Sequence, residues 1–239
     1  MILALKETVL MKRHNGILLA VLALALATLA CNAVTGGGGG ENPTGATSTP
    51  SPTVILSDDF SSEQWGRGTD EKSSVEYAND TLQMIVYTPN YFVWSTPNDQ
   101  DYQDVHMEVT ALTNGTDSTT AFGLMCNQQA DADNSFYYFA VTPNGEYAIT
   151  KATAGEDDAV LTHNGEWATS DSIAKNASSY RVGVDCGHGT LTLYVDGQQI
   201  DSVSDASYVN GGVALFASSG QEATSSKVSF DDFLMTELP

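Results

Sequence analysis

From about residue 54 to the end of the chain, apolar and polar residues alternate in short stretches separated by turn-forming residues. This period of two is typical of β-strands with one buried face, and helical periodicity is almost absent. The pattern predicts strands over residues 81–88, 104–112, 136–141, 146–150, 180–186, 190–195, 212–217 and 227–235. The fold class that follows is all-β, an antiparallel β-sandwich.

The clearest hairpin is centred on Asp196-Gly197, between an alternating strand and Gln198-Gln199-Ile200. Asp-Gly is a favoured two-residue connection because a type I′ turn needs positive φ at both central positions. The register of a two-residue turn places Leu193 opposite Ile200, so we expect these two side chains to be buried together.

A different pattern begins the chain. The basic residues Lys12 and Arg13 precede an apolar run over 17–30 that ends in small residues. This order is typical of a secretory signal, and the run is too short to span a bilayer comfortably. Residues 1–10 lie ahead of the basic patch, where a secretory signal normally begins, so Met11 is an alternative start of the protein. We therefore predict a signal peptide over 1–30.

Thr28-Leu29-Ala30-Cys31 resembles the lipobox of bacterial lipoproteins, although Thr28 stands where that family usually has leucine. The resemblance implies cleavage before Cys31, lipidation of this cysteine and membrane contact through the lipid anchor only. It implies an extracytoplasmic location on the bacterial cell envelope. The alternative is an ordinary signal cleaved nearby, which leaves a soluble secreted protein.

Residues 31–53 contain five consecutive glycines followed by a tract of Ser, Thr and Pro. Such a segment has too little apolar surface to offset the entropy of ordering it. We predict a disordered tether over 31–53 that carries a single folded domain over 54–239.

The chain has 9 basic and 30 acidic residues, a formal net charge of −21. Without residues 1–30, six basic and 29 acidic residues remain, a net charge of −23. Such a surface repels nucleic acid and anionic lipid, and its self-repulsion favours a soluble monomer. The acidic residues are scattered, so no acidic tail is predicted.

The predicted domain contains two cysteines, Cys126 and Cys186. An even pair in an exported protein is most economically explained by one disulfide. The alternative is two buried thiols. A metal site built on the two cysteines is disfavoured, because no histidine lies at a useful spacing.

Several segments together resemble the concanavalin-A-like lectin/glucanase superfamily, of which the laminin-G-like jelly roll is one form. They are LSDDF at 56–60 with Trp65 after it, LTLYVDGQQI at 191–200, YVNGGVALFASS at 208–219 and VSFDDFLMTEL at 228–238. Bacterial domains named for 3-keto-disaccharide hydrolysis are similar. The resemblance implies a jelly-roll β-sandwich whose first and last strands pair at the sandwich edge. These motifs are structural and indicate fold rather than activity.

Glucanases of this superfamily carry Glu-x-Asp-x-x-Glu on one strand, which supplies a nucleophile and an acid/base about 5–5.5 Å apart. No glutamate of this chain has that context, and no Gly-x-Ser-x-Gly elbow is present. His106 alternates with apolar residues on a strand, so it is expected at a sheet surface. His163 and His188 are expected in turns. The sequence therefore favours a protein that is not an enzyme.

Calcium is the metal that the ligand types favour, because carboxylates and carbonyls suit a hard cation. Asp58, Asp59, Asp231 and Asp232 would lie close together if the terminal strands pair. They are the candidate ligands of a structural Ca2+. The alternative is that they hydrogen-bond to strand amides and solvate the sheet ends.

Sugar rings stack on exposed aromatic side chains beside polar hydrogen-bonding groups. Strand alternation places Tyr137 and Phe139 on one face of their strand and Phe136 and Tyr138 on the other, so one aromatic face is left for a ligand. The candidate glycan-binding residues are Trp65, Tyr91, Trp94, Tyr138 and Trp167.

These patterns favour a lipid-anchored, non-catalytic domain that binds a glycan, either an environmental polysaccharide or cell-envelope material. One alternative is a glycoside hydrolase with an acid pair dispersed along the sequence. The other is a surface adhesion or assembly module that binds a protein.

Overall fold

A computed structural model of the chain describes residues 52–130, 135–223 and 225–239. The predicted signal peptide, Cys31 and all but the last two tether residues lie outside these ranges. None of the described residues belongs to a helix long and apolar enough to cross a membrane.

Within these ranges sixteen strands, numbered β1 to β16 in chain order, form two antiparallel sheets. The first sheet has the order β14-β13-β12-β6-β16-β4-β3-β2, with β1 paired to β16. Its strands are β1 (Val54–Asp58), β2 (Gly68–Thr69), β3 (Ser73–Tyr77), β4 (Leu82–Val86), β6 (Val105–Leu112), β12 (Ser179–Gly187), β13 (Thr190–Val195), β14 (Gln198–Ser204) and β16 (Ser226–Glu237).

The second sheet has the order β10-β9-β8-β7-β15-β5, with β11 also paired to β9. Its strands are β5 (Phe92–Ser95), β7 (Ala121–Gln128), β8 (Phe136–Val141), β9 (Glu146–Ala152), β10 (Ala159–Val160), β11 (Ala168–Thr169) and β15 (Gly212–Ser218). The all-β jelly-roll sandwich expected from the sequence is confirmed.

The core lies between the two sheets, where alternate residues of each strand meet. Met107 and Val184 of the first sheet, with Leu124 and Phe139 of the second, belong to this core and have no exposed surface. Burying one such side chain contributes roughly 1.5–3 kcal/mol, so the alternation seen in the sequence is what holds the sheets together.

A disulfide joins Cys126 of β7 to Cys186 of β12, with an S–S distance of 2.06 Å. The two cysteines come from different sheets, and neither has exposed surface. The predicted pairing is confirmed, and the bond ties the sandwich layers together through the core.

The β13–β14 hairpin has the predicted turn, since φ is 51° at Asp196 and 76° at Gly197. The predicted partner of Leu193 is wrong, however. Leu193 pairs with Asp201 rather than Ile200, because the register shifts between Leu193 and Tyr194. A bulge of this kind adds one residue to one strand and moves every later pairing by one.

The first and last strands pair as expected, with Asp58 opposite Phe233. Among the described strands β1 pairs with β16 alone, so the pair lies at the edge of the first sheet at this end, as expected. The twelve-residue β16 pairs with β4 through Ser226–Phe230 and with β1 through its second half. The length of β16 therefore allows two strands to share one of its sides.

Candidate functional site

Large aromatic side chains lie on the outward side of the second sheet, the side turned away from the first sheet. Every one of the sixteen strands belongs to one of the two sheets, so no described strand forms a third layer over this surface. We call it the aromatic face, and it comprises Phe92, Trp94, Phe136, Tyr138 and Phe216, with Trp167 packed against them.

Strand register brings these rings together from three strands and a loop. Phe216 of β15 pairs with Trp94 of β5 on one side and with Gly123 of β7 on the other. The ring of Phe216 stacks on Phe92 with centroids 4.7 Å apart, and the Tyr138 ring meets Phe92 and Phe216 at 5.6 Å in each case. Offset and edge-to-face contacts of this kind favour a continuous aromatic surface.

The rings of this face differ in how much solvent they meet. Trp94 is 2% exposed and Tyr138 is 8% exposed, so the expectation that these two present open ring surfaces is wrong. Their rings pack against Phe92, Phe136 and Phe216. Phe92 and Trp167 stay partly exposed, so they are the rings of this face that a ligand can reach.

Trp65 and Tyr91 are not on this face. Both belong to the core between the sheets and are 3% exposed, so the prediction of sugar-stacking platforms at these residues is wrong. The Trp65 indole Nε1–H donates to Asp58 Oδ2 at 3.0 Å, and its ring meets Phe233 edge-on at 5.0 Å. Trp65 thus packs the terminal strands against the core.

Polar groups gather beside Tyr138, at the edge of the aromatic face nearest β9 and β10. The Tyr138 hydroxyl donates to Asp158 Oδ2 at 2.9 Å. Thr150 is paired with Tyr138 across β8 and β9, and its buried Oγ1 makes no well-formed hydrogen bond among the described residues. Aromatic rings beside hydroxyl and carboxylate groups are the side chains that recognise a sugar.

Among the described strands of the second sheet, one outward position holds a carboxylate, Glu146 of β9, which lies on the same side of the strand as Thr150 and Ala152. In β7 the outward positions hold Ala121, Gly123 and Met125, and in β15 they hold Ala214 and Phe216. A retaining hydrolase needs two carboxyl groups about 5–5.5 Å apart on the surface that binds substrate. The described strands do not provide that pair on this face.

The side chains of three of the four aspartates predicted to bind calcium accept hydrogen bonds from protein groups. Asp58 accepts hydrogen bonds from the Phe60 amide at 2.8 Å and from Trp65, while Asp59 Oδ1 accepts from Ser61. Asp231 Oδ1 accepts from the amide of Asp232 at 2.8 Å.

A groove of about 440 Å3 is lined in part by Asp58, Asp59 and Asp232, but the cationic Arg181 lines it as well. Within 52–130, 135–223 and 225–239, no three His, Cys, Asp or Glu residues converge as a metal site would require. The calcium site predicted from Asp58, Asp59, Asp231 and Asp232 is therefore not assembled in this structure.

His106 lies on the outward side of the first sheet, as its alternation predicts. Its Nδ1 is 2.6 Å from Asp185 Oδ1, and its Nε2 is 3.3 Å from Glu108 Oε1. The hydrogen bond to Asp185 raises the pKa of His106, although burial acts in the opposite direction. Arg181 also binds Glu108, so these charges join β6 to β12 on a sheet surface remote from the aromatic face.

No family model matches the chain, and no curated protein matches it. Solved structures do resemble it. The carbohydrate binding module CBM66 from Bacillus subtilis is 14% identical, with a TM-score of 0.55 over 73% of this chain and 96% of that one. A Bacillus licheniformis beta-glucanase is 11% identical, with a TM-score of 0.52 over 80% of this chain and all of that one.

A third similar structure is a Bacillus subtilis protein described as having a galectin-like fold and an unknown function. It is 9% identical, with a TM-score of 0.57 over 77% of this chain and 96% of that one. The identities are low, so these likenesses establish a shared jelly-roll fold and leave activity to be argued from the site.

The sequence pattern predicts that Phe136 and Tyr138 share a face and offers Trp94 and Trp167 as candidates. It does not indicate that Phe92 and Phe216 lie on that face. A usable signal was present. Phe92 and Trp94 flank the buried Val93, and Ala214 and Phe216 flank the buried Leu215. Apolar residues on both sides of a strand indicate a sheet with two buried or ligand-covered faces.

Proposed function

We propose that this protein binds a glycan, without catalysis, on the aromatic face of its second sheet. The observation that carries the proposal is the aromatic cluster on the outward side of a two-layer sandwich. In such a fold the core needs only the inward side of each sheet, and Phe92 and Trp167 stay partly exposed on this second apolar side, so we place the ligand there. Rings edged by the Asp158 carboxylate and the Tyr138 hydroxyl suit a sugar better than a purely apolar partner.

The fold likeness supports a carbohydrate ligand, because the similar structures include a carbohydrate binding module and a beta-glucanase. The outward positions of the described strands of the second sheet support binding over hydrolysis, since they supply no pair of carboxylates. The ligand class within this proposal is an environmental polysaccharide or a glycan of the cell envelope.

The place of action is part of the same proposal. The N-terminal pattern favours export, lipidation at Cys31 and a tether over 31–53 that holds the domain off the membrane. Phase separation of the full-length protein in Triton X-114 tests this. The wild-type protein is expected in the detergent phase and Cys31→Ser in the aqueous phase, and detergent-phase Cys31→Ser would contradict lipidation at this residue.

Glycan binding is tested by native electrophoresis through gels containing soluble polysaccharides, including mixed-linkage β-glucan, laminarin and xylan. Wild-type protein is expected to be retarded by at least one of them. Phe92→Ala and Trp167→Ala are each expected to weaken that affinity about tenfold, because one lost stacking contact corresponds to roughly 1.4 kcal/mol.

The matched control is Tyr87→Ala, which removes an aromatic ring that is 43% exposed and outside the aromatic face. It is expected to bind as the wild type does. Release of reducing ends from the retained polysaccharide would instead favour the hydrolase. Absence of retardation across all gels, by a folded protein, would reject the glycan proposal and favour a protein partner.

A further inference from the structure

Three polar side chains converge at one place on the edge of the aromatic face. Tyr138 pairs with Thr150 across β8 and β9, and Thr150 pairs with Val160 across β9 and β10. Asp158 lies two residues before Val160, where its Oδ2 accepts the hydrogen bond from the Tyr138 hydroxyl. Strand pairing thus places a carboxylate, a phenol and a threonine hydroxyl beside the rings.

The Thr150 hydroxyl is the first of two observations that point to a ligand. Thr150 has no exposed surface, and its Oγ1 makes no well-formed hydrogen bond among the described residues, although the Tyr138 hydroxyl lies beside it. Buried hydroxyls are nearly always hydrogen-bonded, and one left without a partner destabilises the protein. A hydroxyl group of a bound molecule would satisfy it.

The carboxylate of Asp158 is the second observation. No basic side chain among the described residues pairs with Asp158, and the Tyr138 hydroxyl is the one hydrogen-bond donor they offer to it. Partial desolvation raises the pKa of Asp158, the hydrogen bond from Tyr138 opposes that change, and the neighbouring Asp157 carboxylate raises it further. Asp158 is exposed, so a ligand can reach its carboxylate, which accepts hydrogen bonds from neutral donors and repels anions.

We propose that Asp158, Tyr138 and Thr150 form a polar subsite that binds hydroxyl groups of a neutral glycan and disfavours anionic ones. The inference rests on the proposed function, because it assigns the ligand class of the same face. Residues 52–239 contain six basic and 28 acidic side chains, so long-range electrostatics also oppose a polyanion. Sugar hydroxyls donate to Asp158, and one of them accepts from Thr150.

The first test uses Asp158→Asn in the full-length protein with the polysaccharide that the wild type binds most tightly in the gels. The variant is expected to bind about tenfold more weakly, because a hydrogen bond to a charged acceptor is replaced by a neutral one. Asp157→Asn is the matched control, since it changes the net charge equally and has no hydrogen bond to Tyr138. It is expected to keep wild-type affinity.

Charge discrimination is measured with the same polysaccharide after partial carboxymethylation. The wild type is expected to bind the carboxymethylated polymer at least tenfold more weakly than the neutral one. Asp158→Asn is expected to reduce this ratio of affinities more than Asp157→Asn does. An equal reduction of this ratio by both variants would show that net charge, rather than the subsite, sets the preference for the neutral polymer. That result would overturn the assignment of the subsite.

Thr150→Val provides a test with a readout that does not depend on glycan. Valine has nearly the shape of threonine and needs no hydrogen bond, so the variant is expected to be as stable as the wild type or more stable. Its affinity for the polysaccharide is expected to fall about fivefold. Lower stability with unchanged affinity would assign Thr150 a structural role and overturn its place in the subsite.

The outcomes separate the two proposals. If the wild type binds a polysaccharide while Asp158→Asn and Thr150→Val bind it equally well, the subsite is rejected and glycan binding stands. If the wild type binds none of the polysaccharides, both proposals fail together.

Discussion

Replacing Cys126 and Cys186 together with alanine is expected to lower the free energy of unfolding by about 4 kcal/mol. The bond closes a loop with a sequence separation of 60 residues, and cross-linking a loop of this length restricts the unfolded chain by about that much in the chain-entropy model. Denaturant unfolding followed by tryptophan fluorescence measures the change. Because a domain is stable by only about 5–15 kcal/mol, this is a large part of the total.

Two controls isolate the cross-link from the packing of the cysteines. Wild-type protein that is reduced with a phosphine and then unfolded should lose the same free energy of unfolding as the double alanine variant, although every side chain other than the disulfide is intact. The free energy of unfolding of the reduced protein should also fall more steeply with denaturant concentration, because the reduced unfolded chain exposes more surface. Val184→Ala removes buried methyl groups on the same strand and should leave that slope unchanged. A loss below about 1 kcal/mol on reduction would contradict the account of the bond.

Gly123→Ala is expected to cost at least about 3 kcal/mol of stability. A Cβ at Gly123 would lie 1.9 Å from the backbone carbonyl oxygen of Phe139 in β8, so the two central strands of the second sheet would have to separate. The same Cβ would meet Phe216 Cε1 at 3.4 Å, so the aromatic face would be displaced as well. Thermal unfolding and binding to the retained polysaccharide measure the two effects.

Gly183→Ala is the matched control in the middle of the first sheet. Its Cβ would meet Glu108 Cγ and Tyr194 Cβ at 3.4 Å, which are side-chain atoms at ordinary contact distance. We expect a change within about 1 kcal/mol. Equal losses in the two variants would show that the close approach of β7 and β8 at Gly123 is not what requires glycine there.

The sequence predicts strands well because alternation and turns are local. The β8 prediction over 136–141 matches the structure, and Asp196-Gly197 forms the expected turn. The bulge that moves Leu193 from Ile200 to Asp201 escapes prediction, since each strand keeps its alternation on either side of it. Local patterns therefore predict where strands run better than how they pair.

The candidate site is harder to predict, because an apolar side chain expected to be buried can lie either between the two sheets or on the outward side of one of them. Trp65 and Trp94 look alike in sequence, yet one packs in the core and the other lies on the outward side of the second sheet. Asp158 and Thr150 are brought next to Tyr138 only through the pairing of β8, β9 and β10. Long-range register, which composition and spacing do not encode, creates the site.

Hydrogen exchange of the full-length protein in detergent, with and without the polysaccharide it binds most tightly, tests whether the aromatic face is the surface that binds the glycan. We expect glycan-dependent protection in β5, β8 and β15 and in the segment from Asp158 to Trp167. The outward side of the first sheet, around His106 and Asp185, should exchange unchanged and serves as the internal reference. Protection confined to β6 and β12, with none on the aromatic face, would contradict the account.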